Sequence, residues 1–311
     1  MSSKKLKGII IPLVTPFDKD EKIHKTLLRD LTKFMISQGP DYLMATALTG
    51  EGPLLDFNET VEVWQEVFAA AKGHIEVIPA IISTRTETAI KLAKIAYDMG
   101  APALMVAPIV PELYAARSHQ DVFQFYADVA AATPLELILF NYPSLTGVDL
   151  TPPFVARLSK IETVSYIKES TGDSRRVHAI QRLCDPSFKV ICGNPNAAFE
   201  SIALGCDTWI TGIMNVAPKS SIAMMEAIVK HGDLKAARDI YDQHLLPIVD
   251  AMEKSNNPTG TIKAGLRARG VNVGIPRRPG TDLNADEMNS LKTLVDKIID
   301  AEKQFSDSRI A

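Results

Sequence analysis

Short runs of β-branched and aliphatic residues recur along the chain. Each is followed by a stretch in which apolar positions return every three or four residues. The runs at Gly8 to Val14, Asp41 to Thr46, Glu76 to Ile82, Pro102 to Ala107, Leu135 to Phe140, Thr163 to Lys168, Phe188 to Cys192 and Asp207 to Thr211 predict eight strands. Val61, Trp64, Phe68 and Ala71 predict a helix between the second and third of them, with Asn58 as its N-cap. Ala89, Leu92, Ala93 and Ala96 predict another, which Gly100 stops. Strands alternating with helices suit parallel pairing through right-handed crossovers, and eight such units close a barrel. From Pro218 onward the pattern is helical only, through Ile222 to His231, Leu234 to Met252, Thr261 to Arg269 and Asp286 to Gln304. The predicted fold is therefore α/β, a (β/α)8 TIM barrel with a C-terminal helical extension. Residues 1–218 are expected to carry the barrel strands and their helices, and residues 219–311 the last barrel helix and the extension. An open doubly wound sheet competes, but no GxGxxG or GxxxxGK[ST] follows the first strand, so its usual phosphate loop is missing.

Composition narrows the classes of function. Of 311 residues, 46% are hydrophobic and 23% charged, which is ample for one buried core and excludes a disordered chain. Lysine and arginine number 34 against 37 acids, for a net charge of −3, and no dense basic run gathers phosphates. Nucleic acid is therefore not an expected partner. The apolar stretch from Ile9 to Val14 is broken by Pro12 and is too short for a signal-peptide core. Nothing reaches the roughly 18 apolar residues of a membrane span, so no membrane partner is expected either. Cys184, Cys192 and Cys206 lack CxxC spacing, which argues against a disulfide framework and a zinc site and fits a reducing, cytoplasmic setting.

In a barrel of this kind the chemistry lies at the C-terminal ends of the strands. The second predicted strand leads into Ala47-Leu48-Thr49-Gly50-Glu51, the fifth into Phe140-Asn141-Tyr142-Pro143, the sixth into Lys168-Glu169-Ser170-Thr171-Gly172, and the seventh into Gly193-Asn194-Pro195. Lys168 ends an otherwise apolar strand, on the face shared with Val164 and Tyr166. Desolvation there lowers an amine's pKa, and a neutral amine can add to a carbonyl to form a Schiff base. A lysine that extends its ammonium to the barrel mouth is the plainer alternative. Thr49-Gly50 either simply reverses the chain or cradles a small carboxylate on successive amides, helped by the threonine hydroxyl. Asn141-Tyr142-Pro143 is either a proline-ended strand whose tyrosine fills the barrel top or a substrate contact.

Taken in order, these motifs resemble the dihydrodipicolinate synthase and N-acetylneuraminate lyase family. The likeness begins with Gly8, Thr15, Pro16 and Phe17 and continues through Thr49-Gly50-Glu51, Asn141 and Pro143, and Thr146-Gly147. It extends to Ile167-Lys168-Glu169, Asn215-Val216-Ala217-Pro218 and Asn257-Pro258, and so covers nearly the whole chain. The resemblance implies a lyase that binds a 2-oxo acid, typically pyruvate, as an imine on Lys168. Its carboxylate would rest on the amides around Thr49 and Gly50, with Gly193 and Gly212 lining the rest of the pocket. It implies no metal, no organic cofactor, and a homo-oligomer, either a tetramer built as a pair of dimers or a dimer.

The chain departs from the family's pattern at the acid–base groups. Phe140 stands where the family has a tyrosine, Leu48 where it has a hydroxyl residue, and Pro108-Ile109-Val110 lacks the further tyrosine of synthase-type members. General acid–base help is worth about 10² to 10⁴ in rate. The proton relay therefore moves to Tyr142, or passes to ordered water with Thr49, or is lost in a site that binds without turnover. The second route suits a dehydratase or deaminase of a hydroxylated 2-oxo acid. Leu145 replaces the arginine that grips a second carboxylate in synthase-type members, and Asn194-Pro195-Asn196 replaces the acidic residues of sialic acid lyases. Leu48, Ile81, Ile82, Phe140 and Leu145 predict an apolar mouth, so the expected substrate is neither that of the true synthase nor sialic acid.

Overall fold

Eight strands form where the aliphatic runs predict them. They are β1 (Gly8–Pro12), β2 (Tyr42–Ala45), β3 (Val77–Ser83), β4 (Ala103–Pro108), β5 (Glu136–Asn141), β6 (Val164–Glu169), β7 (Lys189–Cys192) and β8 (Thr208–Ile210). In this computed structural model, which describes residues 5–108 and 118–305, they run in chain order as a closed barrel. The chain is thus a (β/α)8 barrel with helices beyond its last strand. Every residue of β2 and of β4 is buried, as expected for parallel strands covered on both faces.

The helices are α1 (Lys25–Ser37), α2 (Phe57–Ala71), α3 (Thr86–Asp98), α4 (His119–Ala132), α5 (Pro143–Thr146), α6 (Pro152–Leu158), α7 (Arg175–Leu183), α8 (Ala198–Ala203) and α9 (Pro218–Val229). After them come α10 (Leu234–Ile240), α11 (Leu246–Ser255), α12 (Pro258–Ala268) and α13 (Ala285–Glu302). Gly100 follows the end of α3 at φ +80°, a left-handed stop that a residue without Cβ adopts freely.

Two local expectations are corrected. The cap of α2 is Asp56, whose carboxylate accepts the Glu59 N–H at 2.8 Å while the Glu59 carboxylate accepts the Asp56 N–H at 3.0 Å. This reciprocal pair needs the two residues three apart, so the helix starts at Phe57 and Asn58 lies inside it. The single helix expected over Leu234 to Met252 is α10 and α11 joined by a π-helical turn at Tyr241–Leu245. Pro247, at the start of α11, has no N–H to continue the regular ladder, and the widened turn accommodates it.

Two compact units emerge, one made of the chain up to Glu76 together with the chain from Thr211, the other Val77–Ile210. In the first, β1 pairs with β2 (Ile11↔Leu43), and the Thr211 N–H donates to the Ile10 carbonyl at 3.2 Å. In the second, β5 and β6 pair Phe140 with Lys168 and Asn141 with Glu169, and β6 and β7 pair Lys168 with Ile191. Among the described residues no helix is long and apolar enough to cross a membrane.

Candidate active site

Lys168 is held by strand geometry. It is the fifth residue of β6, only 8% exposed, with Phe140 as its register partner. Its Nζ lies 4.4 Å from the centroid of the Phe140 ring. Gly193 closes the other side, where an added Cβ would come within 2.7 Å of Lys168 Cγ and 2.2 Å of Ser170 Oγ. Only glycine leaves room for the lysine stem. Burial pulls the amine's pKa down from its ordinary 10.5 to about 8, against a weaker upward pull from the Cys192 thiol. Among the described residues no carboxylate and no hydrogen-bond acceptor is paired with Nζ. The result is an amine of which about a tenth is neutral and nucleophilic at pH 7, against well under a thousandth for an ordinary lysine.

The next residue faces the other way and does a different job. Glu169 accepts hydrogen bonds from Asn141 Nδ2 (3.0 Å), the Thr171 N–H (2.8 Å) and Arg176 Nε (3.2 Å). Arg176 also grips both carboxylate oxygens of Asp149, at 2.8 and 3.1 Å, and the Leu150 carbonyl at 2.7 Å. Asn141 Oδ1 in turn accepts the Leu150 N–H at 3.0 Å. The segment from Tyr142 to Asp149 is therefore closed at its base and tied to the strand that carries Lys168. Asn141, fully buried, is a fastening in this network.

Tyr142 and Leu145 ride on that fastened segment. The Tyr142 ring is 6.1 Å from the Phe140 ring, as two-residue alternation predicts, and is 37% exposed. Leu145 is half-buried in α5, where no charged group replaces the arginine that the resemblance calls for. Asn194 donates from Nδ2 to the Ser170 carbonyl at 3.1 Å and accepts the Asn196 N–H at 2.8 Å, so its side chain shapes the loop. Ser170, which the sequence reading passed over, is 6% exposed with an unpartnered Oγ, two residues from Lys168. Its only sequence signal was that spacing. Val110, read as a missing hydroxyl, lies outside the described residues.

In the other unit, Thr49 and Gly50 form a tight turn after β2. The N–H groups of Gly50, Glu51 and Gly52 donate to Ala47 (3.0 Å), Leu48 (2.9 Å) and Ala47 (3.0 Å) carbonyls, and the Thr15 hydroxyl donates to the Gly50 carbonyl at 2.6 Å. The Gly50 amide is thus engaged inside the turn. The N–H groups of Leu48 and Thr49, and the Thr49 hydroxyl, have no partner among the described residues. These are the donors available to an anion, one residue earlier than the motif suggests. Gly212 lies against this turn, since an added Cβ would sit 3.1 Å from Thr49 Oγ1 and 2.9 Å from Ile262 Cδ1. Asn215 holds Gly212 in place by donating to its carbonyl at 2.9 Å and to that of Pro12 at 3.0 Å.

Sequence reasoning missed what fixes this turn. Glu51 adopts φ +56°, a left-handed conformation that costs a non-glycine residue about 1–2 kcal/mol. Its buried carboxylate lies 2.5 Å from Nζ of the fully buried Lys263 and accepts the Arg277 N–H at 2.8 Å. Lys263 also donates to the Ile275 carbonyl at 3.0 Å. Lys263 and Glu51 are more than two hundred positions apart, so no local pattern could pair them.

A family model described as the dihydrodipicolinate synthetase family matches residues 5–298. The chain belongs to that family. Among curated relatives, the 4-hydroxy-tetrahydrodipicolinate synthase of Syntrophus aciditrophicus is 34% identical over 264 residues, which is 85% of this chain and 88% of the relative. That of Geotalea daltonii is 33% identical, over 92% of this chain and 97% of its own. Among solved structures, the chloride-inhibited dihydrodipicolinate synthase of Acinetobacter baumannii, complexed with pyruvate, is similar with a TM-score of 0.87 and 28% identity. The match covers 94% of this chain and 99% of that one. YagE, a prophage protein of Escherichia coli K12 also solved with pyruvate, matches with a TM-score of 0.87 and 25% identity, over 94% of this chain and 99% of its own. In this member of the family Lys168 stands near the end of β6 with Phe140 as its register partner.

Proposed function

We propose that this family member is a Schiff-base-forming lyase acting on pyruvate or a related 2-oxo acid. The observation that carries the reading is Lys168, a buried amine at the end of β6 whose pKa falls to about 8 and which no carboxylate among the described residues neutralises. Its lone pair adds to the carbonyl carbon. The carbonyl oxygen, after taking up protons, leaves as water, and a protonated C=N bond remains. That bond draws in the electron pair of an adjacent C–C or C–H bond, so the same imine serves condensation, cleavage or elimination. The family resemblance puts the 2-oxo acid's carboxylate on the Thr49 turn, and the proposed donors are the Leu48 and Thr49 N–H groups and the Thr49 hydroxyl, which have no partner among the described residues. Tyr142 is the proposed acid–base group, and a homo-oligomer the proposed assembly.

The second substrate is proposed to differ from that of the synthases named among the relatives. Leu145 offers no charge-assisted contact to a second carboxylate, and loss of such contacts removes recognition of the acid that needs them. Borohydride reduction with pyruvate, followed by intact-mass and peptide analysis, tests the central claim. One adduct on Lys168 that disappears in Lys168→Ala is the expected result. An adduct that survives that substitution contradicts it. A coupled assay with aspartate semialdehyde is expected to show negligible synthase turnover, and robust turnover would refute the proposed specificity.

A further inference from the structure

The sequence reading treated Phe140 as a loss, a ring where a hydroxyl was wanted. Its position gives it a function of its own. The ring is 1% exposed, fixed by its register opposite Lys168, with its centroid 4.4 Å from Nζ. We infer that Phe140 is a catalytic residue whose ring face is the counter-group for positive charge on the Lys168 nitrogen. The inference rests on the imine-forming reading above.

The aromatic quadrupole presents negative potential at its face, and a desolvated cation within about 6 Å is stabilised by it. Nζ carries positive charge twice in the proposed chemistry, as the resting ammonium and as the protonated imine. A carboxylate in this place would hold the lysine as a fixed ion pair and suppress the free amine. Water would solvate the ammonium and return its pKa toward the ordinary value. A phenyl face does neither strongly, since it moderates the charge without accepting a proton or a hydrogen bond. The groups around it leave this role open. On β7 the Cys192 thiol is pushed well up by burial, and Gly193 brings no side chain. On β6 Glu169 is turned into the Asn141 and Arg176 network, and Ser170 brings a neutral hydroxyl. Just beyond β5, the Tyr142 ring lies 6.1 Å from that of Phe140.

The test is a fluorination series at position 140 of the full chain, from phenylalanine through 4-fluoro and 3,5-difluoro to 3,4,5-trifluorophenylalanine, with Phe140→Leu as an aliphatic control. Fluorine drains the ring face while leaving its shape nearly unchanged. Competitive labelling with acetic anhydride, read at the Lys168 peptide, reports the amine's titration midpoint without any substrate. The midpoint is expected to fall stepwise along the series, by about one pH unit at the trifluoro ring, which is roughly tenfold more free amine at a given pH. Phe140→Leu should fall at least as far. A midpoint that stays constant from phenylalanine to the trifluoro ring overturns the inference. Cyanoborohydride trapping with pyruvate is run in parallel. Failure of every protein, including the parent, to trap pyruvate refutes the imine-forming reading, and the labelling series still decides whether the ring acts on the amine.

Discussion

Among the described residues two lysines are buried, and they have opposite fates. Lys263 is fully buried and Lys168 nearly so, each lies beside a phenylalanine ring, at 4.7 Å for Phe17 and 4.4 Å for Phe140, and burial lowers the pKa of both. The difference is the partner. Lys263 meets the Glu51 carboxylate and the Ile275 carbonyl, whereas Lys168 meets an aromatic face and no anion among the described residues. Burial alone therefore does not make a nucleophile. An ion pair holds the proton on Lys263 and turns it into a brace for the Thr49 turn, while its absence leaves Lys168 ready to lose one.

The comparison breaks most visibly at the brace. Lys263→Met should destabilise the fold by about 3–5 kcal/mol in urea unfolding, because it strands the buried Glu51 carboxylate. Adding Glu51→Gln to that variant should recover part of the loss. A single variant as stable as the parent would mean that the pair is not structural.

Next in size is the group proposed to handle protons near Lys168. Tyr142→Phe should reduce turnover on the true 2-oxo acid by about 10² while borohydride trapping on Lys168 persists. Near-normal turnover would shift the role to water with Thr49 or to the Ser170 hydroxyl.

The two lysines should also differ in the sign of their effect on stability. Lys168→Met removes an unpaired buried amine and should raise the thermal midpoint by a few degrees at pH 7, the reverse of Lys263→Met. A lowered midpoint would show that Lys168 braces the fold too.

The smallest effect follows from linkage. Lys168 titrates at about 8 in the folded chain and at its ordinary 10.5 when unfolded, so between those values the unfolded state binds more protons and stability rises with pH. Below about pH 8 the cost of protonating the buried amine is fully present. The advantage of Lys168→Met should therefore shrink as pH is raised from 8 toward 10.5, as followed by denaturant midpoints. A constant advantage would show that Lys168 is not depressed.

Much of this was legible in the residues themselves. Each of the eight strands lies within two residues of its predicted bounds, since runs buried on both faces have a signature that depends only on local sequence. The strand-end position of Lys168 was legible for the same reason, as was the shared side of Phe140 and Tyr142. The cap of α2 lies two residues before the expected one because both Asp56 and Asn58 are good caps, and the Asp56-Glu59 spacing decides between them.

What the sequence determined, then, is order and alternation: which segments are strands, where each ends, and which side chains share a face. Those properties follow from a two-residue or a 3.6-residue period, and neighbours along the chain suffice to define them. The tertiary structure decided the partnerships. It assigned Glu51 to Lys263, joined Asn141 and Glu169 to Arg176 and Asp149, freed the Leu48 and Thr49 amides, and left Lys168 facing a ring. Charge state and reactivity depend on what surrounds a group in a low-dielectric interior, and those surroundings come from residues far apart in sequence. A lysine at the end of a strand is written in the chain; whether it is a brace or a nucleophile is settled by folding.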